Sequence, residues 1–283
     1  MTYLQPENLE DALSWMASNQ PLVMAGCTDI YPLHSSPALA GPLLDITRIA
    51  ELRGLEKQAG WRRFGAATSW GDILAADLPA SYEALKQAAR EIGSVQIQTS
   101  ATIGGNLCTA SPAADSVPCL LALDAEVELA RAGQRRRMPL AEFLTGPRQT
   151  ALASDELLVA IWISEAAEQG HSAFFKLGAR RYLVISIAMV AARLAVEEGQ
   201  IAAAAIAVGS CAPVAVRLAQ LEAALLGQPL AEAARIVAAN KATITASLAP
   251  IDDVRASADY RLEAAAEMVV RAVVQAGQGA AHE

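Results

Sequence analysis

The texture of this chain changes at residues 165–170, and that change limits the fold more than any single motif. Before it, short apolar runs alternate between helical and strand periods. Leu9, Ala12, Leu13 and Met16 share one face of a helix. Residues 22–24 form a short buried strand that runs into a glycine, and 43–46 form another. Residues 63–69 read as a strand closing on a polar turn, and 70–76 as a short helix. In 81–92, Leu85, Ala88, Ala89 and Ile92 make one helical face. Residues 118–123 read as a helix or a buried apolar turn. Glu126 to Leu129 alternates like a half-exposed strand, and Ala132-Gly133-Gln134 turns it back towards Arg136 and Met138. Residues 156–163 are a buried strand. After the polar, small-residue stretch come three strands (173–176, 187–196, 201–208), the last two joined by a hairpin turn at 197–200. Helices come next, at 216–226, 230–239 and 259–275. In the last, Leu262, Ala266, Val269 and Val273 form one stripe. Strands followed by helices imply an α+β class rather than a parallel βαβ array.

The balance of charge removes whole function classes. The net charge is −8 and there is no long basic stripe, so nucleic acid is not an expected partner. The one basic cluster, Arg135-Arg136-Arg137, reads as decoration of a hairpin strand. Mean hydropathy is +0.28, which raises the question of a membrane. The uncharged stretch 201–216 is shorter than the about 20 residues a span needs, and Gly209 and Pro213 break it. With no signal peptide in view, the expectation is a cytoplasmic protein without a membrane span. The four cysteines (Cys27, Cys108, Cys119, Cys211) include no C-x-x-C pair, against a zinc ribbon or an iron–sulfur cluster held by this chain. Three scattered histidines, His34, His171 and His282, suggest no metal site.

Neither G-x-G-x-x-G nor G-x-x-x-x-G-K occurs, so neither a dinucleotide fingerprint nor a P-loop is supported. Two short glycine segments remain: Ala25-Gly26-Cys27-Thr28-Asp29 after the strand at 22–24, and Thr102-Ile103-Gly104-Gly105-Asn106. Glycine lets backbone N–H groups approach an anion and adopt left-handed torsions. Consecutive N–H groups can form an anion nest. Thr28, Thr102 and Thr109 add hydroxyls. Taken singly, each segment also reads as a plain turn.

The residues around and beyond the second segment are more specific. The run A-T-I-G-G-N-L-C-T-A-S-P-A-A-D at 101–115 joins A-G-C-T-D at 25–29, L-L-A-L-D-A-E-V at 120–127, F-F-K-L-G-A-R-R at 174–181 and I-D-D-V-R-A-S-A-D-Y-R at 251–261. In this order, over nearly the whole chain, the blocks resemble the FAD-binding medium subunit of the molybdenum hydroxylases, the xanthine dehydrogenase and carbon monoxide dehydrogenase family.

The resemblance implies a two-subdomain FAD-binding domain of the vanillyl-alcohol oxidase type over residues 1–168. A small antiparallel sheet with a helical bundle would then cover 169–283. Ala25, Gly26, Cys27, Thr28 and Asp29 match the first diphosphate loop; Thr102, Ile103, Gly104, Gly105 and Asn106 match the second, with Thr109 beyond it. Asp115 matches an acid on the flavin side of the cofactor. Leu158 matches a position beside the isoalloxazine ring, and Lys176 a lysine near that ring. Ile92 aligns with a flavin-adjacent position outside a sharp motif. Each residue also has a plainer reading: Asp115 as a helix cap, Lys176 as an edge-strand charge, Leu158 as core, Asp252, Asp253 and Arg255 as a turn, and His34 as a surface histidine. The family commonly has glycine where this chain has Cys27, and a left-handed torsion there would strain the loop. Residues 96–99 also replace a more basic run.

The function so implied is electron transfer. FAD here would take electrons from 2Fe-2S clusters in a small partner subunit. A large partner subunit would carry molybdenum-pterin and hydroxylate the substrate, in a heterotrimer able to dimerise. The external acceptor would be NAD or a quinone. No catalytic residue or metal ligand is expected in this chain. A self-contained flavin oxidoreductase and a cofactor-free assembly subunit stay open as alternatives.

Overall fold

The computed structural model describes residues 2–33 and 39–280. His34 and His282 lie outside the described residues. The chain packs as two compact units, neither continuous in sequence. The first takes Met1–Ala76, Ser94–Ala110 and Ala125–Ile163, and the second Asp77–Gly93, Ser111–Asp124 and Ser164–Glu283.

In the first unit, strand Pro42–Asp45 lies between strands Thr2–Leu4 and Leu22–Met24, parallel to both. Helix Leu9–Asn19 supplies the crossover that parallel strands require. Asn8 starts it, its side chain accepting from the Asp11 N–H. The helix buries Leu9, Ala12, Leu13 and Met16 beside Leu44, Ile49, Leu52 and Val159. The alternation of texture in this half therefore includes a small parallel sheet, which the strand-then-helix argument does not foresee.

A five-stranded sheet completes the unit, in the order Leu55–Gln58, Trp61–Gly65, Leu157–Ser164, Glu126–Arg131, Gln134–Pro139. Its middle strand, Leu157–Ser164, is buried over seven of its eight residues, which is why it reads as an unbroken apolar run. Its pairing slips between Leu158 and Ala160. The Val159 carbonyl accepts instead from the Ala66 N–H at 3.0 Å. This irregularity re-aims the backbone beside Leu158. The basic cluster lies on the edge strand of the hairpin, as its sequence suggests. Arg135 pairs with Glu51 and Glu128, Arg136 grips Glu156 through two bonds, and Arg137 lies 3.6 Å over the Trp162 ring.

In the second unit, strands His171–Leu177, Ala188–Glu197, Gln200–Gly209 and Val216–Arg217 make an antiparallel sheet in sequence order. Helix Ala258–Ala280 buries Ala265, Val269, Ala272, Val273 and Ala276 in one core with Val190, Ala192, Leu194 and Ile206. Two helices from earlier in the chain, Glu83–Glu91 and Ser116–Ala122, pack in this unit. Their attachments are polar as well as apolar. The Phe174 N–H donates to Gln87, the Ala84 N–H to Ser172, and buried Arg193 to the Ala122 carbonyl and Asp124.

Two local expectations change. The helix expected over 216–226 is a helix only at Ala219–Leu225. Val216 and Arg217 instead extend the sheet by pairing with Val208 and Ala207, as a β-branched residue beside a buried strand favours. The second glycine segment is no loop: it opens helix Ile103–Thr109, just after helix Val95–Ser100.

Candidate cofactor site

The first glycine segment bridges strand Leu22–Met24 and the helical turn Ile30–Leu33. Gly26 adopts no left-handed torsion; what it provides is space. A Cβ there would lie 2.0 Å from the Ser100 carbonyl oxygen and 2.9 Å from Ala101 Cα, so the loop rests directly on that backbone. The left-handed residue is the next one, Cys27, at φ 57°. For a residue with a Cβ this torsion costs about 1 kcal/mol. The Cys27 thiol faces the Ala25 carbonyl at 3.5 Å. Partial burial, with a smaller push from Asp45, raises its pKa, so it stays a thiol at neutral pH.

The amides of this loop decide its chemistry. Among the described residues, the N–H groups of Gly26, Cys27, Thr28 and Asp29 meet no acceptor within the chain. Four consecutive unspent donors about one left-handed residue are the kind of set that can bind an anion. Asp29 is tied down by the Thr109 hydroxyl, which donates to it at 2.9 Å.

The second segment spends its amides. Ile103 N–H donates to the Thr68 carbonyl at 3.0 Å and Gly104 N–H to the Ala66 carbonyl at 2.8 Å. Gly105 N–H donates to the Thr102 side chain, which caps the helix, and Asn106 N–H to the Thr102 carbonyl. Gly104 again marks close approach. A Cβ there would sit 2.6 Å from the Ala66 oxygen and 3.0 Å from Leu158 Cδ2. Leu158, buried in the central strand, thus touches this segment. Both segments, Thr109 and Leu158 belong to the first unit.

Asp115 and Lys176 meet in the second unit. Lys176 Nζ donates to Asp115 Oδ2 at 2.6 Å, both side chains below one-tenth exposed. Asp115 precedes helix Ser116–Ala122 but makes no side-chain cap. Lys176 sits on an edge strand yet is not a solvent charge. Neither plainer reading holds for this pair. Burial pushes the Asp115 carboxyl upward and Glu91 adds to this, against the pull of Lys176 and Ser186. Lys176 lines a cleft of about 540 Å³ with Phe174, Phe175, Arg90 and Arg181. Asp253, by contrast, does form a turn, accepting from Arg255, the Ala256 N–H and Arg261.

Comparison with known proteins gives the family. Residues 1–164 match the family model of the FAD binding domain in molybdopterin dehydrogenase. Residues 173–276 match that of the carbon monoxide dehydrogenase flavoprotein C-terminal domain. The chain belongs to the family of molybdenum hydroxylase FAD-binding subunits. It is similar to the xanthine dehydrogenase FAD-binding subunit of Escherichia coli O157:H7, at 31% identity over 97% of this chain and 95% of that one. It is also similar to the nicotine 6-hydroxylase medium subunit of Paenarthrobacter nicotinovorans, at 30% identity over 97% and 96%. Among solved structures, carbon monoxide dehydrogenase from Hydrogenophaga pseudoflava superposes with a TM-score of 0.88 at 28% identity, covering 98% of this chain and 97% of that one.

The geometry of this FAD-binding subunit fits its cofactor. A diphosphate needs several N–H donors in one place, and the first loop keeps four unspent. Among the described residues, no three His, Cys, Asp or Glu side chains could hold a metal ion, and all four cysteines are free. No helix there is long and apolar enough to cross a membrane. Sequence reasoning missed two members of the arrangement. Ser100, the floor beneath Gly26, has no motif, and Ser186, which donates to Asp115 Oδ1 at 2.5 Å, lies 71 residues away from it.

Proposed function

We propose that this subunit holds FAD and passes electrons from iron–sulfur clusters of a small partner subunit to an external acceptor, while a large molybdenum-pterin subunit oxidises the substrate. The four unspent amides of Gly26–Asp29 carry the reading: among the described residues they are donors without an acceptor, on a loop that rests on the Ser100 backbone.

In the first unit, Ala25, Gly26, Cys27, Thr28 and Asp29 hold the diphosphate, and Thr102, Ile103, Gly104, Gly105 and Asn106 hold that loop's support in place. Thr109 orients Asp29, and Leu158 offers an apolar contact to the flavin. In the second unit, Lys176 and Asp115 form a buried ion pair. When bound, FAD supplies two-electron storage with one-electron exchange. The acceptor is NAD or a quinone, the complex a heterotrimer able to dimerise, and its place the cytoplasm. No nucleophile or acid–base dyad for hydroxylation accompanies this set.

The test is reconstitution. The purified chain should carry about one FAD, and substrate should bleach the flavin only when both partner subunits are present. Bleaching by substrate with this chain alone, or a chain that takes up no FAD, would overturn the proposal.

A further inference from the structure

We propose that a cleft on one face of the five-stranded sheet binds a small organic anion, one that ends in a carboxylate or a phosphate, through Arg137 and Arg53. The inference goes beyond the cofactor reading and does not rest on it. The cleft measures about 550 Å³ and lies wholly in the first unit. Its lining sets Arg53, Arg63, Arg135 and Arg137 against Glu51, Glu56 and Glu128, a surplus of one positive charge. Each glutamate is already engaged. Glu51 accepts from Arg135 at 2.6 Å and Glu56 from Arg63 at 3.4 Å. Glu128 is the decisive one. It stands directly opposite Arg137 in the hairpin register, yet its Oε1 accepts from Arg135 at 3.1 Å and its Oε2 from the Trp162 indole N–H at 2.6 Å. The indole therefore takes the oxygen that Arg137 would otherwise meet. Arg137 stacks instead on the Trp162 ring at 3.6 Å, and among the described residues neither it nor Arg53 donates a side-chain N–H to any acceptor.

An arginine in this state is ready for an oxyanion. Stacking occupies the face of the guanidinium and leaves its five N–H donors free in their own plane. That planar fork matches two oxygens of a carboxylate or a phosphate. Holding the side chain flat beforehand lowers the ordering cost of binding. The floor of the cleft is buried: Arg63, Glu128 and Trp162 are each below one-tenth exposed. Ion pairing against such a floor is screened less than on open surface. Arg137 itself is exposed, so a solute reaches it. The volume lies in the range of small-molecule sites and exceeds what a bare phosphate ion fills, so the anion is an organic one. Strand period explains the choice of residue within Arg135-Arg136-Arg137. The first and third share this face, and only the third is left without a carboxylate.

The test is calorimetric titration of the full chain at about 150 mM salt. Citrate and glycerol 3-phosphate are the probes, and whichever binds tells carboxylate from phosphate. Saturable binding of at least one, at about 1 mM or tighter, is expected. Arg137→Ala should weaken it at least about tenfold, and Arg53→Ala by less. Lys241→Ala, which removes an exposed cation of the second unit, should leave it unchanged. Arg137→Lys keeps the charge and loses the fork, so it should recover little. Trp162→Phe keeps a ring but frees Glu128 Oε2 to capture Arg137, and should weaken binding as well. Melting temperatures recorded alongside show that each variant is folded, and the FAD content of Arg137→Ala should equal that of wild type. Binding of neither probe, or full affinity in Arg137→Ala or Arg137→Lys, overturns the proposal. Loss of FAD together with the anion in a folded Arg137→Ala would make the cleft part of the cofactor's own site and overturn it too.

Discussion

The two glycine-bearing segments look alike as sequence and treat their amides in opposite ways. Among the described residues, Gly26–Asp29 leaves four N–H groups in a row without a partner, whereas Ile103–Asn106 gives every N–H to a carbonyl or a capping hydroxyl. The glycines do not mark the difference, because Gly26 and Gly104 both serve close backbone packing. What marks it is Cys27, at φ 57°, a left-handed torsion that no residue of the second segment adopts. Two segments that read alike as sequence differ in the amides they leave for a ligand.

Substitutions can break that contrast, and the largest effect belongs to Gly26→Ala. Its Cβ would lie 2.0 Å from a backbone oxygen, so the loop must lift from Ser100. Overpacking of this kind costs about 1–3 kcal/mol. FAD affinity should fall by more than about tenfold, since the donors move with the loop. Fluorescence titration of the FAD-stripped chain measures this, and wild-type affinity would remove the loop from the site.

Cys27 gives the next effect. Cys27→Gly should bind FAD as wild type and change stability by no more than about 1 kcal/mol, the relieved torsion offsetting the chain entropy of glycine. Cys27→Val puts a β-branched side chain at φ 57° and should lose about 1–2 kcal/mol with a matching loss of FAD. Denaturant melts with and without FAD separate the two, and equal FAD affinity in both variants would contradict this role for the torsion.

Thr102→Ala probes the support. Loss of the cap on the Gly105 amide should cost about 1 kcal/mol, while FAD affinity stays within about threefold. An affinity loss as large as that of Gly26→Ala would make the segments equals after all.

The smallest effect calibrates the rest. Glu156 is bound by Arg136 of the hairpin's edge strand, and that pairing first of all lowers its pKa. A lowered folded pKa gives stability that is present above the ordinary value of about 4.3 and is lost as pH falls through the folded one. Glu156→Gln should cost about 1 kcal/mol at pH 7. In paired melts the gap should narrow below about pH 4.3, with FAD affinity unchanged; a gap that widens in acid would refute the assignment.

Legibility in the sequence tracks the range of the forces involved. Helix Leu9–Asn19 and the central strand Leu157–Ser164 are readable because burial prints a period or an unbroken run on the residues themselves. The Ala188–Glu197 strand is readable despite its alanines, which close packing needs: Ala188, Ala191 and Ala192 are fully buried, and the strand lies in one core with helix Ala258–Ala280. Helix Ile103–Thr109 is not, because two glycines disfavour a helix that Thr102 and the Ala66 and Thr68 carbonyls then impose. The Asp115–Lys176 contact spans 61 residues and is not legible in the sequence: the resemblance singles out each residue but not their pairing. Ser186 has no local signal at all, since a serine before an apolar strand looks like any strand entrance.

Amide hydrogen exchange on the FAD-stripped and FAD-loaded chain, resolved to single residues, tests the division of labour most directly. Gly26, Cys27, Thr28 and Asp29 should exchange fast without FAD and slow sharply with it, while Ile103 to Asn106 stay protected in both states. Protection that appears on FAD loading at Ile103 to Asn106 and not at Gly26 to Asp29 would contradict it.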